Sequence, residues 1–171
     1  AAHLNEPGCG MAAYRRKLQV VEFPCMVPPP VPPVPKEEGN RRVRCAFVGT
    51  LYPVLRTPHY ALELFRCMND PDLELVFAGD GWQHYASTLP DSCRRVMGDR
   101  LQILGQIPFA QAQEEIAKAD VLINLGNREN SQLPSKIFEI FSSGKPVLNL
   151  AKRPDDVSLP YFERYPLACT V

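Results

Sequence analysis

The sequence predicts an α/β fold built on a doubly wound, parallel sheet. From Val43 onward, short apolar runs alternate with segments of helical pattern. The runs are continuous and rich in Val, Ile, Leu and Phe, as strands buried on both faces must be. Pro, Gly or Asp-Pro punctuation separates them from the helical segments. Strand and helix in repeated alternation imply parallel strands joined by right-handed crossovers.

The expected strands are residues 43–48, 73–78, 101–104, 121–125 and 146–150, and the expected helices are 60–68, 83–96, 110–118 and 135–141. Residues 160–171 read as a turn and a weak final strand. Residues 12–18 suit a short helix, and 19–23 suit a strand with no partner nearby in sequence. Seven of the 18 prolines fall between Pro24 and Pro35. Such a run lacks backbone donors and has fixed φ, so it joins neither helix nor sheet interior and behaves as a semi-rigid extended spacer. The alternative is a proline-rich ligand for a partner's aromatic groove. The organisation expected is therefore a tail of a missing N-terminal domain (1–23), an interdomain linker (24–42) and one α/β domain (43–171) cut short at its C-terminus.

Lys plus Arg and Asp plus Glu both number 19, so no net field draws the chain to nucleic acid or to an anionic membrane. No apolar run approaches the roughly 20 residues of a membrane helix. The six cysteines, Cys9, Cys25, Cys45, Cys67, Cys93 and Cys169, show no Cys-x-x-Cys pair and no His placed to complete a zinc site. They read as buried, reduced thiols of a cytoplasmic protein.

Ligands of an open parallel sheet sit beyond the C-terminal strand ends. Those ends carry Gly49-Thr50-Leu51-Tyr52-Pro53, Gly79-Asp80-Gly81-Trp82 and Gly105-Gln106-Ile107-Pro108. Glycine there lets backbone approach a ligand or simply turn sharply. Neither a G-x-G-x-x-G after the first strand nor a G-x-x-x-x-G-K-[ST] occurs, which argues against a dehydrogenase-type dinucleotide fold and a P-loop NTPase. His3, His59 and His84 are scattered, and no metal set or catalytic triad is suggested. The most informative stretch is NRENSQLPSKIFEIFSSGKPV, from Asn127 to Val147. Pro134 suits a first helical position, which leaves the free amides within residues 133–136 to meet a phosphate. On a helical wheel Leu133, Ile137, Phe138, Ile140 and Phe141 share the apolar arc. Ser135, Lys136, Glu139, Ser142 and Ser143 share the polar one, expected to face out. Lys136 and Glu139 also suit a plain solvated i,i+3 pair.

The blocks FVGTLYP, LVFAGDGW, LGQIPFAQAQEEIAKADVLINL and LPSKIFEIFSSGKPVL, in that order and spacing, resemble the C-terminal donor domain of retaining GT-B glycosyltransferases of the large GT4-like group. The resemblance spans residues 43–150 and implies one Rossmann-like half of a GT-B fold. It implies that Glu139 matches the second Glu of the family's Glu, seven residues, Glu motif, which bonds the ribose. Gln132, Leu133 and Pro134 then lie on the loop facing the diphosphate, joined by Ser131 and Ser135. Gly49 and Thr50 match the turn near the donor phosphates, Arg56 the basic residue that follows it, and Ile107 and Pro108 the resting place of the base. Gly79, Asp80 and Gly81 complete the donor side. The family's first Glu falls on Ser131, a departure in the region that reads the donor sugar, where Glu129 or Asn130 could substitute. The Arg and Lys pair is also incomplete, because Val54 and Leu55 precede Arg56.

The function expected from that resemblance is binding of a UDP- or GDP-linked sugar for transfer to a saccharide or cell-surface acceptor, with Glu139, Lys136 and Arg56 as the acting groups. The nucleotide sugar is substrate, and neither cofactor nor metal is implied. An opposing N-terminal acceptor domain is required, so the isolated chain is expected to be inactive. The rival readings are a nucleotide-sugar epimerase of the same architecture and a non-catalytic α/β interaction module working through its proline-rich segment.

Overall fold

A computed structural model of the chain describes Lys17, Pro32 and residues 42–88, 91–129 and 132–171. The expected helix 12–18, the strand 19–23 and almost all of the linker lie outside the described residues, as does Ser131.

Strands β1 (Val43–Val48), β2 (Leu73–Ala78), β3 (Leu101–Gly105), β4 (Val121–Leu125), β5 (Val147–Leu150) and β6 (Ala168–Thr170) form one sheet in the order β3-β2-β1-β4-β5-β6. Every pairing is parallel, with β1 central between β2 (Val43↔Leu73 to Val48↔Ala78) and β4 (Cys45↔Val121, Ala46↔Leu122). The chain winds outward from β1 to β3, crosses back to β4, and winds outward again. Strand order thus reverses between β1 and β4, where the loops part and leave a crevice.

Alternate residues of each strand feed opposite faces. On one face Phe47, Leu75 and Phe77 pack with Leu62 and Phe65 of α1 (His59–Met68) and Cys93 and Met97 of α2 (Asp91–Met97). On the other, Ala46, Val48 and Val76 pack with Ile116 of α3 (Phe109–Lys118), Ile137 and Ile140 of α4 (Lys136–Ser142) and Phe162 of α5 (Leu159–Arg164). At the N-terminal end of the sheet, Arg44 joins Glu74 at 2.7 Å and Glu115 at 2.6 Å, stapling α3 to β1 and β2.

The structure corrects several expectations. Residues 83–96 are not one helix: a 3-10 turn, Trp82–His84, precedes α2. The amphipathic pattern runs on across Pro90, but proline lacks the amide and collides with the preceding turn. Residues 160–171 hold a helix and a strand instead of a turn and strand, since Pro160 sits in the first turn of α5, where proline is favoured. Pro134 lies two residues before α4, outside the expected first helical position. The cysteines also divide. Cys45 and Cys93 are buried, whereas Cys67 and Cys169 are exposed, on the outer side of α1 and on edge strand β6. Among the described residues, no helix is long and apolar enough to cross a membrane.

Candidate nucleotide site at the strand-order reversal

Three strand exits are stitched together by backbone. Gly79 N–H donates to Gly105 O at 2.7 Å, Gly49 N–H to Ala78 O at 2.9 Å, and Leu51 N–H to Asp80 O at 2.9 Å. Gly79 has φ +132° and Gly81 +90°, and a Cβ on either would lie 2.0 Å from a backbone oxygen, that of Gly49 and Leu51 respectively. Glycine is therefore demanded there by contact between loops. The sequence left open whether these glycines serve a ligand or a turn, and at Gly81 the positive φ and the approach of Leu51 account for it.

Beyond Leu51 the chain doubles back. Tyr52 and Arg56 exchange both backbone bonds, at 3.0 and 2.9 Å, and Leu55 N–H donates to Pro53 O at 2.8 Å across Val54. Val54, with φ +68°, is thus the centre of a three-residue γ-turn. That conformation is rare for a β-branched side chain, and such strain collects at functional sites. The turn presents Arg56, whose Nε and Nη2 reach Asn127 Oδ1 at 3.1 and 2.8 Å. Asn127, just past β4, is buried. Burial pushes the Arg56 pKa down, and its hydrogen-bond acceptor is a neutral amide. Lys152 stands close by, donating to Thr57 Oγ1 at 3.1 Å, its pKa lowered by burial and then by the Arg56 and Arg128 cations.

Opposite this turn stands α4. Stacking of Phe141 on Tyr165 (4.5 Å between centroids) and edge contacts of Phe141 with Phe162 (5.2 Å) and Phe138 with Tyr161 (5.7 Å) lock it to α5. Its start is tight, with Ile137 and Phe138 N–H bonding Pro134 and Ser135 carbonyls at 3.2 Å each. Anion attraction there rests on the Lys136 ammonium more than on the dipole of a seven-residue helix. Between turn and helix lies a cavity of about 270 Å³ lined by Gly49, Thr50, Tyr52, Arg56, Asn124, Pro134 and Lys136. A second, of about 220 Å³, is lined by Gly79, Asp80, Gln106 and Ile107 and shares Gly49, Thr50 and Lys136 with the first. Together they form a trough across the ends of β2, β1 and β4.

The structure thus brings Gly49, Thr50, Gly79, Asp80, Arg56, Ile107, Pro134 and Lys136 to one trough. Gly81, Pro108, Gln132, Leu133, Ser135 and Glu139 border these loops and α4 without lining either cavity. Glu139 does not face out as its arc predicted. Its carboxylate accepts from Gln113 Nε2 of α3 at 2.5 Å and meets Lys136 Nζ at 2.5 Å, with 17% of the side chain exposed. Sequence alone did not single out Asn127, Lys152 or Asn124. Asn127 was nonetheless signalled by its place at a strand exit, and Asn124 by being polar within the apolar run VLINL. Among the described residues, no group of three His, Cys, Asp or Glu is placed to hold a metal ion.

No protein-family model matches the sequence, and no curated protein matches it. Solved structures do match in three dimensions. HepE from Anabaena, in complex with UDP and glucose, aligns with TM-score 0.61 at 19% identity, over 78% of this chain and 35% of its own. WaaG, a glycosyltransferase involved in lipopolysaccharide biosynthesis, aligns at 0.53 and 12% identity, over 84% of this chain and 41% of its own. An O-GlcNAc transferase from Thermobaculum terrenum aligns at 0.52 and 19% identity, over 85% and 28%. The chain spans between about a quarter and two-fifths of the length of these proteins. With its six parallel strands in the order 3-2-1-4-5-6 and its trough at the reversal, the chain has the Rossmann-like fold of one half of a GT-B glycosyltransferase.

Proposed function

We propose that this chain is the donor half of a GT-B glycosyltransferase and binds a nucleoside-diphosphate sugar, UDP- or GDP-linked, in the trough. The observation that carries the reading is the pairing of Arg56 and Lys136 across one cavity at the strand-order reversal. Arg56 is half-buried yet hydrogen-bonded to a neutral amide, an arrangement that favours an arriving anion. A diphosphate there has both cations at hand, the base lies toward Ile107, and Glu139 turns to the ribose once Lys136 engages phosphate. As the sugar leaves, negative charge grows on the diphosphate, and fixed cations stabilise it most at that moment. The UDP found in HepE supports the choice of ligand. Transfer to a saccharide or cell-surface acceptor, with retention and in the cytoplasm, requires an opposing acceptor domain.

Calorimetric titration of the chain with UDP, GDP and uridine tests this. Binding of a diphosphate in the high-micromolar range or weaker, none of uridine, and no sugar transfer are expected. Equal affinity for uridine and UDP, or measurable transfer by this chain alone, contradicts it.

A further inference from the structure

Parallel strands buried on both faces are normally apolar throughout, but β4, β5 and β6 carry a polar row. Asn124, Asn149 and Thr170 are in register on adjacent strands, on the face covered by α4 and α5. Asn149 Nδ2 donates to Thr170 Oγ1 at 3.2 Å, which turns Asn149 Oδ1 toward β4, where it accepts from Asn124 Nδ2 at 2.8 Å. Asn124 is 6% exposed, Asn149 1%. Two buried carboxamides are costly unless their bonds are satisfied, and the row spends them on fixing one orientation. It leaves the Asn124 carboxamide oxygen with no donor among the described residues, on a side chain that lines the cavity between Arg56 and Lys136.

We infer that Asn124 is a ligand-reading residue: its oxygen accepts a hydroxyl of the sugar portion of a nucleotide sugar, and Asn149 and Thr170 are positioning residues that hold it in that sense. A carboxamide oxygen has nothing to accept from an ionised diphosphate, and Asn124 lines the cavity of Arg56 and Lys136 and not the one lined by Ile107, where the base and its ribose are placed, so it discriminates the sugar from the bare nucleotide. This rests on the proposed donor reading of the trough.

The test compares UDP with UDP-glucose, and GDP with GDP-mannose, by calorimetry on the full chain. The double variant Asn124→Leu/Asn149→Leu replaces both partners with similar apolar shapes, a change that is near neutral for folding. It is expected to weaken whichever nucleotide sugar the parent binds by about three- to ten-fold, and the matching nucleotide less than two-fold. Thr170→Val, on the exposed edge strand, is expected to weaken the sugar selectively in the same sense, with Thr170→Ser restoring it. A merely structural row would give equal losses for sugar and nucleotide, or none, and either result overturns the inference while leaving the donor reading standing. A parent that binds none of the four ligands removes the donor reading and this inference with it. If the double variant melts early, the Thr170 pair decides alone: equal behaviour of Val and Ser overturns the inference.

Discussion

Gly79→Ala tests the loop packing that shapes the trough. The new Cβ would lie 2.0 Å from Gly49 O, where ordinary contact begins near 3.4 Å, so the ends of β1 and β2 must part by more than about 1 Å, enough to weaken a hydrogen bond. Two backbone bonds cross that seam, Gly49 N–H to Ala78 O and Leu51 N–H to Asp80 O, both at 2.9 Å. Weakening them costs about 0.5–1.5 kcal/mol each, and holding alanine at a φ of +132° adds about 1–3 kcal/mol. The expected loss is about 2–6 kcal/mol, exceptional for a single substitution at its upper end. Gly144→Ala is the control, because Gly144 has φ +68° with nothing within 4 Å of the new Cβ and so costs only about 1–2 kcal/mol. Urea unfolding followed by the fluorescence of Trp82 reads both. Trp82 is the single tryptophan, is buried, and lies 5.1 Å from the Phe77 ring. With a slope of about 2 kcal/mol per molar urea, Gly79→Ala should lower the midpoint by roughly 1–3 M. A loss no greater than that of Gly144→Ala refutes the close-approach argument.

Glu139→Ala should weaken UDP or GDP roughly 10- to 150-fold, the worth of about 1.5–3 kcal/mol for a charge-assisted bond to ribose, with Ile137 and Ile140 still buried and little change in free-protein melting. Unchanged or tighter binding would leave Glu139 as the partner of Lys136 and nothing more. Lys145 donates to the Ala117 and Ala119 carbonyls at 2.8 and 2.6 Å, closing the end of α3. Lys145→Met should therefore cost about 1–3 kcal/mol in urea unfolding without touching the trough, and a neutral result would show that water replaces it freely. Burial pushes the Cys45 thiol from 9.0 up to about 11. An unfolded thiol ionises first, so stability is held below pH 9 and falls by up to about 3 kcal/mol as pH rises toward 11. Iodoacetamide at pH 8 should label Cys67 and Cys169 while sparing Cys45 and Cys93, as peptide mass spectrometry of the native chain would show.

The sheet was legible because burial on both faces leaves an unmistakable signature: all five expected strands form within a residue of their predicted ends. The sixth was blurred by its shortness and by Pro160, whose two meanings, breaker and helix starter, cannot be told apart locally. A crevice beyond the C-terminal strand ends followed from the winding rules, Lys136 from its place at a helix start, and Arg56 from the resemblance alone, while the strand order had no local signal. What a linear pattern could not give is which groups spend their bonds on each other. The wheel put Glu139 on a polar arc, yet α3 packs beside α4 and supplies Gln113 to that arc. Likewise the Asn124 row exists only across strands, and Gly79 needs no side chain because Gly49 arrives from another loop. The register and helix neighbours that decide these contacts are tertiary facts.

The location of the anion is the most direct test of the account. In a 15N–1H titration of the chain with UDP, the amides of Gly49, Thr50, Gly79 and Lys136 and the Nε–H of Arg56 should shift together. Arg44, stapled to Glu74 and Glu115 at the other end of the sheet, should stay still. Arg56→Ala should abolish those shifts at the same UDP concentration while the rest of the spectrum keeps its dispersion. Shifts centred on the N-terminal sheet end, or shifts that survive Arg56→Ala undiminished, would contradict a nucleotide site at the β1/β4 reversal.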